Sequence, residues 1–221
     1  MFVPPPILTS TAEVVAVVVL LATFGMLRAP LMTSQINLYR LQSLAVTALV
    51  VVVGATHGLV GIYILAVASF VLKVIVVPAV ILSLLGEADS NIAHSNVLKV
   101  PSMVLVALVV SLFGFITIDA LHLRSATLPA PALGIAVAAT LVAFVIIVFR
   151  SDVISQAMGF FSLENAVSMA SLTVATAVPL VMELAFLFDL LVAVVAFGML
   201  MRVHHRRSGT LSTDPLDRLR G

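Results

Sequence analysis

Three ionisable side chains, Lys73, Glu164 and Asp189, lie inside long apolar runs of a chain that is only 10% charged. An ionisable group in hydrocarbon costs about 2.5–3.5 kcal/mol on insertion scales, so a chain that keeps one has a partner or a use for it. Lys73 stands about midway along Gly61–Leu85. A lysine so deep is either the cation of an ion pair or a charge switched by proton transfer. Glu164 sits beside Asn165, whose amide can hydrogen-bond across helices. Two readings of Glu164 stand: a proton-relay carboxylate, or a carboxylate near the inner interface satisfied by Arg150 or by water. Asp189 lies roughly 12 Å into the last apolar run at 1.5 Å per residue. Aspartate is too short to reach the interface, so it needs protein or a water-filled cavity around it. It reads as a relay group or as the buried partner of Lys73. Glu183, six residues earlier, is a fourth relay candidate and fits equally well as a charge near the outer interface.

The elements that position these groups follow from hydrophobicity. The chain has 221 residues, 62% of them apolar, and a mean hydropathy of +1.27. Several runs exceed the roughly 18 residues that mark a membrane-spanning helix. Without water to satisfy it, the backbone of such a run must bond within its own segment, which selects helices. The runs lack the dyad alternation of a membrane barrel. The expected fold is all-α, a polytopic transmembrane bundle of about seven helices. The segments are Ala12–Leu27, Leu41–Thr56, Gly61–Leu85, Val100–Ile118, Pro131–Phe149, Gln156–Val178 and Val181–Met201. Together they form a single helical domain over residues 1–204, followed by a basic tail over 205–221. Pro78, five residues after Lys73, is expected to kink the third helix or loosen its hydrogen-bond ladder.

Composition also excludes functions. The absence of cysteine removes disulfides, thiolate nucleophiles and iron–sulfur ligation by this chain. A net charge of +1 with scattered basic residues gives no nucleic-acid footprint. No metal-ligand spacing, phosphate-cradling glycine loop or nucleophile–base arrangement occurs. The N-terminus has no basic region of the kind that opens a cleaved signal peptide and reads as a short tail.

Alternating seven spans places Arg28, Arg40, Lys99, Arg150, Arg202, Arg206, Arg207, Arg218 and Arg220 on one side and Arg124 alone on the other. Basic loops stay in the cytoplasm, so the C-terminus is expected inside and the N-terminus outside. A degenerate internal repeat is also readable. Leu41-Gln42-Ser43-Leu44 and Leu163-Glu164-Asn165-Ala166 each open a helix followed by a short turn and a second helix with a central charge. With a gap of about six residues, Lys73 and Asp189 become counterparts of opposite sign, and internal repeats are common in membrane transport folds.

These residues bring a family into view. The chain resembles the membrane component E of hydrogenase-4 and related formate hydrogenlyase complexes. The resemblance lies in Tyr39-Arg40-Leu41-Gln42-Ser43-Leu44, Phe70-Val71-Leu72-Lys73-Val74-Ile75-Val76-Val77-Pro78, Gly159-Phe160-Phe161-Ser162-Leu163-Glu164-Asn165 and Glu183-Leu184-Ala185-Phe186-Leu187-Phe188-Asp189. Through its last two helices that family is similar to the small K-type membrane subunit of complex I and the C-type subunit of multisubunit cation/proton antiporters. The K-type subunit carries two helix-embedded glutamates on a lateral chain of ionisable groups. Glu164 falls on the first and Asp189, one methylene shorter, on the second.

The resemblance implies a non-catalytic subunit of an oxidoreductase complex in a bacterial or archaeal plasma membrane. Its implied partners are antiporter-like and quinone-subunit-like membrane subunits, together with soluble nickel–iron hydrogenase-like and iron–sulfur subunits that hold the [NiFe] centre and the clusters. This chain would hold no cofactor and would contribute buried charges to a lateral proton or ion pathway. Two other readings compete: a structural adaptor whose charges lock helices and subunits together, and a stand-alone small transporter. Against the transporter, no paired Gly/Pro-broken helices form a midplane site.

Overall fold

The computed structural model describes residues 6–57, 60–86, 99–120, 130–174 and 179–208. Among them every element is helical. We number seven helices: α1 (Pro6–Arg28), α2 (Met32–His57), α3, α4 (Val100–Ala120), α5 (Ala130–Phe149), α6 (Val153–Val174) and α7 (Pro179–Ser208). Helix α3 runs through three consecutive parts, Val60–Ser69, a π-helical turn Phe70–Val76, and Val77–Gly86. Six of the seven are long and apolar enough to cross a membrane. The exception is α6, whose Ser155, Gln156, Ser162, Glu164, Asn165 and Ser168 dilute its apolar character.

That exception makes sense from packing. Helix α6 touches α1, α2, α5 and α7, and most of its side chains from Val153 to Ala166 are buried. A helix shielded from lipid by its neighbours can carry polar groups that a lipid-facing helix cannot. The helices form two rows. One runs α3, α2, α1, α4; the other runs α7, α6, α5, with α3 against α7, α2 against α6, and α1 and α4 against α5.

Helix ends differ from the apolar runs where polar residues prolong the helix. Helix α2 starts at Met32, ahead of the run at Leu41, and takes in Thr33, Ser34, Gln35 and Asn37. Gln35 is nonetheless fully buried and donates from Nε2 to the Ala29 carbonyl at 3.3 Å. Helix α6 starts at Val153 rather than Gln156 because Asp152 caps it, its Oδ1 accepting from the Ser155 amide at 2.6 Å. Such a cap satisfies one of the first unbonded N–H groups and suits the positive end of the helix dipole. Helix α7 extends to Ser208, past the expected end of the helical domain at 204. Residues 209–221, which hold most of the expected tail, lie outside the described residues.

Arg150, between α5 and α6, is buried and donates from Nη2 to the carbonyls of Leu27 at 2.7 Å and Ala29 at 3.1 Å. It thereby occupies acceptors that the end of α1 leaves without a helical partner. Burial pulls its guanidinium below the usual arginine value, and the neighbouring Asp152 pushes back up. These contacts tie the same-side ends of α1, α5 and α6 together.

The ladder of α3 loosens just before Pro78, as its position leads one to expect. Pro78 has no N–H for the carbonyl four residues back, and its ring crowds that carbonyl. The preceding turn widens into the π form, with the Val77 amide bonding to the Leu72 carbonyl five residues earlier. Lys73 stands inside that turn and is fully buried.

Candidate functional site: a buried ion pair in a polar belt

The interior divides into two apolar cores. One gathers Met26, Ile36, Val77, Ile81, Met158 and Phe161 with their neighbours. The other gathers Val15, Val19, Leu49, Ile62, Ala136 and Met169 with theirs. Following the helices shows what separates them. On α1, Thr23 falls between Val19 and Met26. On α2, Gln42 and Ser43 fall between Tyr39 and Val46. On α3, Ser69 and Lys73 fall between Ala66 and Val77, and on α6 Ser162, Glu164 and Asn165 follow Phe161. The result is a polar belt that crosses the bundle between the two cores.

At one side of the belt the Lys73 ammonium lies 2.7 Å from Glu164 Oε1, with the side chains 0% and 5% exposed. The long lysine side chain reaches from α3 to α6. Tyr39 is also fully buried, and its ring meets that of Phe161 at 5.8 Å. On the adjoining stretch Gln42 Nε2 donates to Thr23 Oγ1 at 3.1 Å and to Ser162 Oγ at 3.0 Å. Thr23 Oγ1 and Ser162 Oγ are 3.2 Å apart. Asn165 Nδ2 donates to Ser43 Oγ at 2.8 Å and more weakly to Gln42 Oε1 at 3.4 Å. In hydrocarbon an unmet polar group is costly, and this network lets α1, α2 and α6 carry five polar side chains through the bundle.

Of the four residues singled out from sequence, the structure brings two together. Lys73 and Glu164 are partners. Glu164 does not pair with Arg150, which serves the end of α1. Because α6 begins at its Asp152 cap, Glu164 is the twelfth of 22 residues. It therefore stands mid-helix, level with Lys73, and not toward the cytoplasmic side as its distance from Gln156 suggested. Asp189 is neither buried nor the partner of Lys73; it is exposed on the outer face of α7. Glu183 also lies in α7, but its side chain is not among those described.

The matched positions of the repeat meet in space. Ser43 and Asn165, which correspond in the two units, are hydrogen-bonded, and the paired helices of the units pack α2 on α6 and α3 on α7. The symmetry fails at the charges. Glu164 is matched by the neutral Gln42, and Lys73, turned inward, is matched by Asp189, turned outward. Sequence reading missed Thr23 and Ser162 as members of the belt. Their signal is a small polar residue at mid-depth of an apolar run, which is weak when taken one helix at a time.

Comparison with known proteins agrees with the motifs. The Hydrogenase-4 component E of Escherichia coli K12 is 25% identical over 183 residues, 83% of this chain and 85% of that protein. The chain is similar to hydrogenase-4 component E. The same protein from Shigella flexneri matches to the same extent. The Mycobacterium tuberculosis protein named Uncharacterized protein Rv0085 is 34% identical over 85 residues, 38% of this chain and 39% of its own length. No protein-family model matches the chain, and no solved structure matches it significantly.

Proposed function

We propose that this chain is a non-catalytic membrane subunit of a hydrogenase-4 or formate hydrogenlyase-like complex, and that its polar belt is a segment of a lateral proton pathway. The observation that carries the reading is the Lys73–Glu164 pair, joined at 2.7 Å in a polar belt between two apolar cores. Similarity to hydrogenase-4 component E over most of both chains supports the assignment to such a complex. Redox chemistry would reside in partner subunits holding the [NiFe] centre and iron–sulfur clusters, flanked by antiporter-like and quinone-subunit-like membrane subunits. The distribution of basic residues supports an inside C-terminus.

The chemistry needs one proton in and one proton out. A proton arriving at the Glu164 carboxylate makes it neutral and removes the counter-charge that holds the Lys73 ammonium. Lys73 then releases its proton to the next acceptor along the belt, becoming a neutral amine. Transfer of the Glu164 proton to the neutral Lys73 amine restores the pair, so that one proton has entered and one has left. The hydroxyls and amides of Thr23, Gln42, Ser43, Ser162 and Asn165 provide a polar setting in which water can carry the neighbouring steps.

Charge-neutral substitution tests the idea. Glu164→Gln keeps size and hydrogen-bonding capacity. It is expected to leave the complex assembled on native gels while cutting proton uptake into inverted membrane vesicles by about tenfold or more. Normal assembly with wild-type proton uptake would end the relay reading. A structural adaptor is the alternative favoured by the hydrogen bonds that join α1, α2 and α6, and that result would leave it standing.

A further inference from the structure

We infer that the outer face of α7 is a docking surface for a transmembrane helix of a different subunit, one that carries a lysine or arginine level with Asp189. This rests on the multisubunit reading above. Along α7 the exposed side chains recur at helical spacing, with Leu184, Phe188, Val192, Val195 and Met199 each half or more exposed. Asp189 is itself exposed and stands at one edge of this stripe, about 60° round the helix from Val192. It is ten residues from Pro179, about 15 Å along the helix axis. The short aspartate side chain cannot carry its charge from there to the headgroups. Among the described residues, the cations set well inside the spans are Lys73, which already holds Glu164, and Arg40, which lies in the first third of α2 and reaches Asn37 on its own helix.

The occupant follows from charge. Lipid tails would leave a carboxylate in hydrocarbon with nothing to offset it. A second copy of this chain, docked by a two-fold axis through the stripe, would set Asp189 against its own equivalent, two like charges in a low-dielectric contact. A helix from another subunit with a basic side chain at that depth supplies the missing opposite charge, and apolar residues on either side supply the packing.

The absence of cysteine gives a direct test in membranes holding the assembled complex. Val192→Cys, at a half-exposed position three residues along the helix from Asp189, keeps the carboxylate. It is labelled with benzophenone-maleimide and irradiated, with Leu112→Cys on the exposed face of α4 as the comparison. The expected product from position 192 joins it to a transmembrane peptide of a different chain, and mass spectrometry finds a lysine or arginine in that peptide. Asp189→Lys is expected to lower recovery of the assembled complex about thirtyfold, as for loss of a buried charge pair. Replacing the partner's basic residue with glutamate should restore assembly. Cross-linking only to lipid, to a second copy, or to a peptide without a basic residue overturns the inference. Should Asp189→Lys fail to fold in detergent, the cross-link from position 192 decides alone. A wild-type chain that migrates by itself on native gels would overturn the multisubunit reading too. A complex that assembles with position 192 joined only to lipid overturns this inference and leaves that reading intact.

Discussion

The interior of the α2–α3–α6 contact and the outer face of α7 each carry charge inside a membrane span, and they treat it in opposite ways. Lys73 and Glu164 are buried together and offset each other's charge within the chain. Asp189 is exposed, amid apolar side chains, on a helix that touches only α6 and α3 among its principal neighbours. In the sequence alignment of the two halves, Lys73 and Asp189 take matching positions. One half closes its charge inside the fold; the other presents it outward. Charge in a membrane span therefore says little until its partner is known.

The contrast can be broken most forcefully at Lys73. Lys73→Met leaves Glu164 buried without its cation and is expected to destabilise the isolated chain by about 3–5 kcal/mol, read by denaturation in mixed micelles. The double variant Lys73→Met with Glu164→Leu should recover most of that loss, since an apolar pair often replaces a buried ion pair without penalty. It should not recover proton uptake. A double variant no more stable than the single one would show that the two charges are not mutually dependent.

A smaller effect belongs to the neutral part of the belt. Gln42→Leu removes donors to Thr23 and Ser162 and an acceptor for Asn165, with an expected loss of about 1–3 kcal/mol in the same assay. Unchanged stability there would mean that the network is incidental to the bundle. The smallest change is expected outside: Asp189→Asn should alter the stability of the isolated chain by no more than about 0.5 kcal/mol. A loss comparable to that of Lys73→Met would show that Asp189 is held by the fold itself, which would erase the contrast.

Much of the fold was legible because lipid imposes a simple rule on helices. The apolar runs marked all seven, and Pro78 marked the loosened turn beside Lys73. What the runs could not mark was the polar start of α2 or the beginning of α6, where Asp152 sets the boundary. The site was half legible. Lys73 and Glu164 stood out by type and position, but their pairing depends on α3 and α6 being brought within reach across sequence, which periodicity does not encode. Asp189 showed the opposite failure. Its depth was readable, yet depth alone suggested burial, and the direction of its side chain follows from which face of α7 meets α3 and α6.

The π turn at Phe70–Val76 has one more consequence, for how α3 tolerates changes in length. A π turn is an α-helix that has taken in one extra residue without disturbing the helix on either side. Removing a single residue there, Val71 for instance, should return the segment to regular α geometry while the stretches before Ser69 and after Val77 keep their facing. The same deletion elsewhere in α3 would swing everything beyond it by about 100° about the axis. Within this helix, then, the loss of one residue is best absorbed at the turn that carries the lysine.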